Sequence, residues 1–193
     1  MLLYLDTKRA PNPRKLRIYL AEKGLNDLPV KQLDLRAGEQ RTPEFLRKNP
    51  FAGVPILELD DGTVIAESLA IMEYLEEIYP NPPLIGADPV TRALVRMWER
   101  RIEIGVYLPA SRMVLSKGEV SEHARKTLVA RLALVNDGIQ GREWVAGHFS
   151  IADIMLLIGL DTAHHGGQFT LDPAWTNVSR WYERMKARPS ASV

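Results

Sequence analysis

VPILELDDGTVIAES, residues 54–68, holds two short apolar runs either side of Asp61-Gly62, then a polar pair at the mouth of a helical pattern. An Asp-Gly pair between alternating apolar residues is a strong hairpin signal, so residues 56–59 and 63–66 are expected to pair as antiparallel strands. Apolar residues at helical spacing follow from 68 to 79 and end at Pro80.

Upstream, MLLYL predicts a short buried strand over 2–5. Residues 14–23 predict a helix, with Pro13 at its first position and Gly24 as its stop. VKQLDL (30–35) alternates like a second strand. TPEFLRKN (42–49) predicts a short helix with Thr42 as N-cap and Pro43 at its first position. The order is strand–helix–strand–helix–hairpin–helix. Its first half implies a parallel crossover, so the sheet is mixed. PNPPLIGADP (80–89) cannot continue a helix and is expected to link two domains. Residues 91–115, 121–140, 151–165 and 175–188 carry helical periodicity and no convincing strand. The expected division is an α/β domain over 1–80, a linker over 81–90 and an all-α domain over 91–193.

The chain has 193 residues, a net charge of +1 and no cysteine. The charge gives no global argument for nucleic acid or an anionic membrane surface. The absence of cysteine excludes a disulfide framework, a thiolate metal site and redox chemistry on a protein thiol. No apolar run approaches the ~20 residues of a span, and the N-terminus lacks a signal-peptide pattern, so a cytoplasmic protein is expected.

Three stretches together resemble the cytosolic glutathione transferase family: the opening turn and helix ending YLAEKG (19–24), NPFAGVPILELDDGTVIAES (49–68) and REWVAGHFSIADI (142–154). The resemblance covers essentially the whole chain. It implies a thioredoxin-like N-terminal domain with a four-stranded mixed sheet, an all-helical C-terminal domain and a homodimer. Glutathione would serve as co-substrate, a small electrophile or disulfide would be the second substrate, and no other cofactor is implied.

Each motif residue also has a plainer reading. Val54-Pro55 is either an ordinary proline before a strand or, if cis, a turn exposing the Val54 backbone to an extended peptide. The resemblance implies the cysteinyl backbone of glutathione there. Ser68 can cap a helix whose N-terminus attracts a carboxylate, and Glu67 can accept from an ammonium group. The resemblance assigns both to the γ-glutamyl end. Gln40 stands where related sequences reach the glycyl carboxylate, with Arg41 and Lys48 as alternatives. Gly53 departs from the Lys or Gln of many relatives. Ser150 and Asp153 read as a capping box, with structural weight rather than a catalytic pairing with His148. Adjacent His164 and His165 point different ways on a helix and lack a third ligand. Phe51 is a core, an exposed or a partner-facing residue.

The family's usual thiol-activating hydroxyl is missing. Ala10 stands where many bacterial relatives carry one, Tyr4 is expected to be too early and core-facing, and Thr7 lies beyond Lys8 and Arg9. Asn12, with backbone N–H groups at the helix start, is the remaining candidate to stabilise a thiolate, as an oxyanion hole stabilises an alkoxide. APNPRKLRIYLAEKG (10–24) is most similar to an atypical branch thought to use a water held by His and Ser of the helical domain. Ser111, Ser116 and His123 are candidates for such a role, and Tyr107, Ser111, Arg112 and Ser116, with Met113, for the co-substrate pocket. Transferase chemistry is the leading expectation. Glutathione-dependent disulfide reduction and a non-enzymatic binding or regulatory protein are the alternatives.

Overall fold

The computed structural model describes residues 1–6, 10–166 and 169–193 and divides into two compact units, Met1–Pro82 with Val193, and Pro83–Ser192. In the first, the described elements run β1 (Leu2–Asp6), α1 (Pro11–Lys23), β2 (Val30–Leu33), α2 (Pro43–Lys48), β3 (Ile56–Glu58), β4 (Val64–Ala66) and α3 (Ser68–Ile78). Among the described residues the sheet has four strands in the order β2-β1-β3-β4; β1 runs parallel to β2, and the other pairs are antiparallel. This is the expected mixed, thioredoxin-like sheet. The hairpin closes at Asp61-Gly62, with Gly62 at φ 85° and the Leu59 N–H on the Thr63 carbonyl at 2.8 Å. A positive φ there suits glycine because no Cβ opposes it.

Alternation along the strands sends Tyr4 and Ile56 to one face, where they bury against Phe45 of α2 and Leu33. Leu3 and Leu57 point to the opposite face and are fully buried, as are Leu16, Ile18 and Tyr19 of α1 and Ile71 and Leu75 of α3. Between α1 and α3, the Tyr19 hydroxyl donates to Glu76 at 2.8 Å, and Lys23 pairs with the same carboxylate at 2.8 Å. Lys23 also donates to the Pro82 carbonyl at 2.7 Å. These buried polar groups are satisfied within the unit, as burial requires.

Helix α1 starts at Pro11, two residues before the Pro13 expected at its first position. The first helical turn needs no i−4 partner for its N–H groups, so Pro11 and Pro13 both fit there. The first bond closing the helix runs from the Arg14 N–H to the Ala10 carbonyl at 3.2 Å. Thr42 caps α2 as expected, accepting from the Phe45 N–H at 3.3 Å.

The second unit contains α4 (Pro89–Ile102), a π-helical turn (Glu103–Tyr107), α5 (Leu108–Leu115), α6 (Gly118–Gly138), α7 (Ile151–Asp161), a second π-helical turn (Thr162–Gly166) and α8 (Thr176–Lys186). The π turns interrupt what periodicity alone presents as single helices. Helix α7 is buried along its length from Ile151 to Leu160. Asp153, wholly buried, accepts from the N–H groups of Val145 (2.9 Å) and Ser150 (3.0 Å), the Ser150 hydroxyl (3.2 Å) and Trp181 Nε1 (2.7 Å). The capping box at Ser150 and Asp153 is therefore structural. His164 and His165 each face a backbone carbonyl, of Phe169 at 2.9 Å and of Asp161 at 3.0 Å.

Candidate functional site

Strand register places the motif residues at one end of the sheet. Tyr4 opposes Ile56, and Ile56 opposes Ala66. The ladders stop there, and Asp6, the cis Val54-Pro55 step and Ser68 come next along the chain at that same end of the sheet. Strand β2 ends at the same edge, with Asp6 opposite Leu33, and leads on to Gln40. Residues separated by more than sixty positions thus meet where β1 and β4 hand over to helices.

Asp6 and Arg17 shape the opening turn, a pair that sequence reasoning missed. The buried Asp6 carboxylate accepts from the Ala10 N–H at 2.5 Å and from Arg17 Nη1 at 3.0 Å. Arg17 Nη2 also donates to the Asp6 carbonyl. The carboxylate thereby joins the end of β1 to the cap of α1. Thr7 lies outside the described residues. Ala10 is the N-cap and supplies no side-chain cap. Of the first three helical residues only Asn12 carries a backbone N–H, because Pro11 and Pro13 have none. The expected group of backbone donors therefore reduces to one N–H beside the half-buried Asn12 carboxamide.

Tyr4 is confirmed as core-facing. Its ring packs edge-on against Phe45 with centroids 6.1 Å apart, and its hydroxyl donates to Glu58 at 2.5 Å. Lys48 binds the same carboxylate and holds Glu58 below its ordinary pKa, while burial and that carboxylate raise the phenol. Tyr4 and Lys48 are thus committed to Glu58.

The 49–55 loop is organised by Asn49, another residue the sequence did not single out. Its Nδ2 donates to the Gly53 carbonyl at 2.9 Å, and its Oδ1 accepts from the Phe51 N–H at 3.2 Å. An Asn-Pro start followed by Gly was the available signal, because Asn side chains close turns on their own backbone. The Val54-Pro55 bond is cis. The Val54 N–H and carbonyl make no hydrogen bond among the described residues. Phe51, at the tip, is 92% exposed, which removes its core reading.

At the β4–α3 junction, Glu67 rather than Ser68 occupies the N-cap position, with φ 69° and ψ 124°. Ser68 is the first helical residue and is buried. No side chain caps α3 among the described residues, so the N–H groups of Ser68, Leu69 and Ala70 form an uncapped, positively polarised terminus beside the exposed Glu67 carboxylate. Gln40 Nε2 donates to the Leu35 carbonyl at 3.3 Å, while its Oε1 is buried without a partner among the described residues. Arg41 is exposed.

Arg112 and His123 line a hollow of about 480 Å³ with Ile104, Leu108 and Val120. Tyr107 shares a hydrogen bond with Ser111 one turn on, and burial raises its phenol. Ser116 ends α5 as its C-cap. No cluster of three metal-ligating side chains occurs among the described residues. No described helix is long and apolar enough to cross a membrane.

The family model described as glutathione S-transferase, N-terminal domain, matches residues 10–78. Glutathione S-transferase 2 of Saccharomyces cerevisiae is 33% identical, over 98% of this chain and 87% of that protein. A maleylacetoacetate isomerase of Pseudomonas aeruginosa is 34% identical, over 94% of this chain and 90% of that protein. The crystal structure of Gtt2 from Saccharomyces cerevisiae superposes with a TM-score of 0.88 at 33% identity, covering 100% of this chain and 99% of that one. With likeness of sequence and fold across nearly its whole length, and the motif residues gathered at one end of the sheet, the chain belongs to the glutathione S-transferase family.

Proposed function

We propose that this glutathione transferase holds its tripeptide along the end of the sheet just described. The γ-glutamyl carboxylate sits on the uncapped N-terminus of α3 with the Ser68 hydroxyl, and Glu67 accepts from the adjacent ammonium group. The cysteinyl N–H and C=O pair with the carbonyl and N–H of Val54, ahead of Pro55, as an added strand would. Gln40, whose Nε2 already gives one hydrogen to the Leu35 carbonyl, offers its second amide hydrogen to the glycyl carboxylate. The sulfur lies against Asn12. Its N–H and carboxamide favour the thiolate over the thiol, lowering a pKa that starts near ~8.5.

The thiolate then attacks a small electrophile. A carbon–sulfur bond forms, the leaving group departs with its electron pair, and the thiol proton passes to solvent. Proximity and the thiolate fraction supply the acceleration. The uncapped α3 terminus beside Glu67, at the same end of the sheet as the unpaired Val54 backbone, is the observation that carries this reading. A homodimer with the exposed Phe51 at the subunit contact, and a cytoplasmic location, belong to the same proposal.

Calorimetric titration of glutathione in two buffers of different ionisation enthalpy tests it. Saturable binding with proton release, and turnover of a chloronitrobenzene, are expected. Binding without release leaves a tripeptide site lacking thiol activation, and no binding overturns the assignment. Reduction of a small disulfide without chloronitrobenzene turnover would replace transfer by glutathione-dependent reduction.

A further inference from the structure

The loop after α6 turns at Gly141, with φ 72°, and sends Arg142 and Glu143 toward the first turns of α8. There Gly141, Arg142, Glu143, Asn177, Arg180 and Arg184 line an open surface hollow of about 390 Å³. Three guanidinium groups share this space with one carboxylate.

Neutral partners hold the cations together. Arg142 Nη1 donates to the Val145 carbonyl at 3.3 Å, and its guanidinium lies 6.0 Å from the Trp98 ring centroid. Arg180 donates through Nε to the Thr176 carbonyl at 3.2 Å and through Nη2 to Asn177 Oδ1 at 2.9 Å. Arg184 Nη1 donates to the Glu143 carbonyl at 2.6 Å, and its guanidinium lies 5.7 Å from the Trp144 ring. Arg184 Nε stands 3.9 Å from the Glu143 carboxylate, which is 65% exposed and so a weak counter-charge. Each guanidinium has five N–H donors, and these bonds use only one or two of them. What remains is a set of oriented, under-neutralised forks around a hollow of ligand size, which runs from ~300 Å³ upward.

We propose that this hollow binds a small phosphate monoester. Three cations against one carboxylate leave a surplus matching the roughly −1.5 to −2 charge of a phosphate monoester near neutrality. Planar guanidinium forks fit its oxygens bidentately. The volume leaves room for a modest organic body beside the phosphate. The site is independent of the glutathione reading, because its residues all belong to the loop after α6 and to α8.

The test is calorimetric titration of inorganic phosphate and of glycerol phosphate into the full chain at constant ionic strength. One saturable site is expected for both probes. Tighter glycerol phosphate identifies an ester as the ligand, and equal affinities identify the free ion. Arg180→Ala should weaken both probes at least tenfold, with Arg180→Lys intermediate because it keeps charge but loses the fork. Glu143→Gln should tighten binding several-fold, a gain that a folding defect cannot produce. Saturating glutathione should leave the isotherms unchanged. Absent saturation, equal displacement by chloride, or an isotherm unaltered in Arg180→Ala and Glu143→Gln overturns the proposal.

Discussion

Replacing Asp153 by alanine should destabilise the helical unit by about 3 kcal/mol. The carboxylate collects four donors, three of which are buried N–H groups: those of Val145 and Ser150 and the Trp181 indole. Each orphaned donor costs ~1–3 kcal/mol, and the Ser150 hydroxyl can rotate to a new partner. Against that stands the relief of an unfavourable charge. Burial outweighs the donated bonds and raises the Asp153 carboxyl to about 6 from 3.8, a burden of about 3 kcal/mol on the ionised form at roughly 1.4 kcal/mol per pH unit. Three donors at ~2 kcal/mol each outweigh the relief by about the predicted amount.

A pH dependence follows from the same carboxyl. The folded chain binds this proton more tightly than the unfolded chain, so the Asp153 contribution to stability is full below about 4 and is lost as the pH rises through about 6. Urea unfolding followed by tryptophan fluorescence, at pH 4.5 and 7, measures both effects. In Asp153→Asn the part of the pH difference due to this carboxyl should be lost, while a loss of ~2 kcal/mol in stability remains, because the amide's own N–H group now faces donors. A loss under ~1 kcal/mol in Asp153→Ala, or the same pH difference in wild type and Asp153→Asn, would refute the reasoning.

Glu67→Gly should weaken glutathione at least tenfold while leaving stability unchanged or raised by up to ~1 kcal/mol, because φ 69° strains any residue with a Cβ. Paired calorimetry and thermal melts check it, and a clear loss of stability would count against the strain. Asn12→Ala should leave glutathione affinity within about threefold but markedly reduce proton release on binding, measured in two buffers; undiminished release would clear the Asn12 carboxamide of thiol activation. Tyr19→Phe should cost ~1–2 kcal/mol in urea unfolding, because the phenol's bonds to Glu76 at 2.8 Å and the Met72 carbonyl at 3.1 Å are lost inside the α1–α3 layer. No measurable change would mean that the Lys23–Glu76 pair is self-sufficient.

What the sequence disclosed is mostly what neighbouring residues decide. Asp61-Gly62 closes the hairpin by local bonds, the Asp61 carboxylate accepting from the Thr63 N–H and the Gly62 N–H donating to the Leu59 carbonyl, and Thr42-Pro43 starts α2 by local capping, so both were legible. The α1 start was misplaced because two prolines compete for the first position and both are tolerated in an unbonded turn. The Asp6–Arg17 clamp escaped notice because it exists only once β1 and α1 have packed. Glu67 displaced Ser68 from the cap because the chain leaves β4 with a positive φ, which no composition rule predicts for a glutamate. The π turns left no signature, since one extra residue barely disturbs an apolar stripe. In the candidate site the residue types were readable, whereas their alignment at one end of the sheet came from strand register.

The paired prolines of the first turn also have a spectroscopic consequence. Proline contributes no amide proton, so between residues 11 and 13 a nitrogen–proton correlation spectrum contains a single backbone cross-peak, that of Asn12. The resonance sits alone at the position assigned to the ligand sulfur. Its chemical shift, followed against pH with glutathione bound, traces ionisation of that one thiol without a chromogenic substrate, a label or a second reactant.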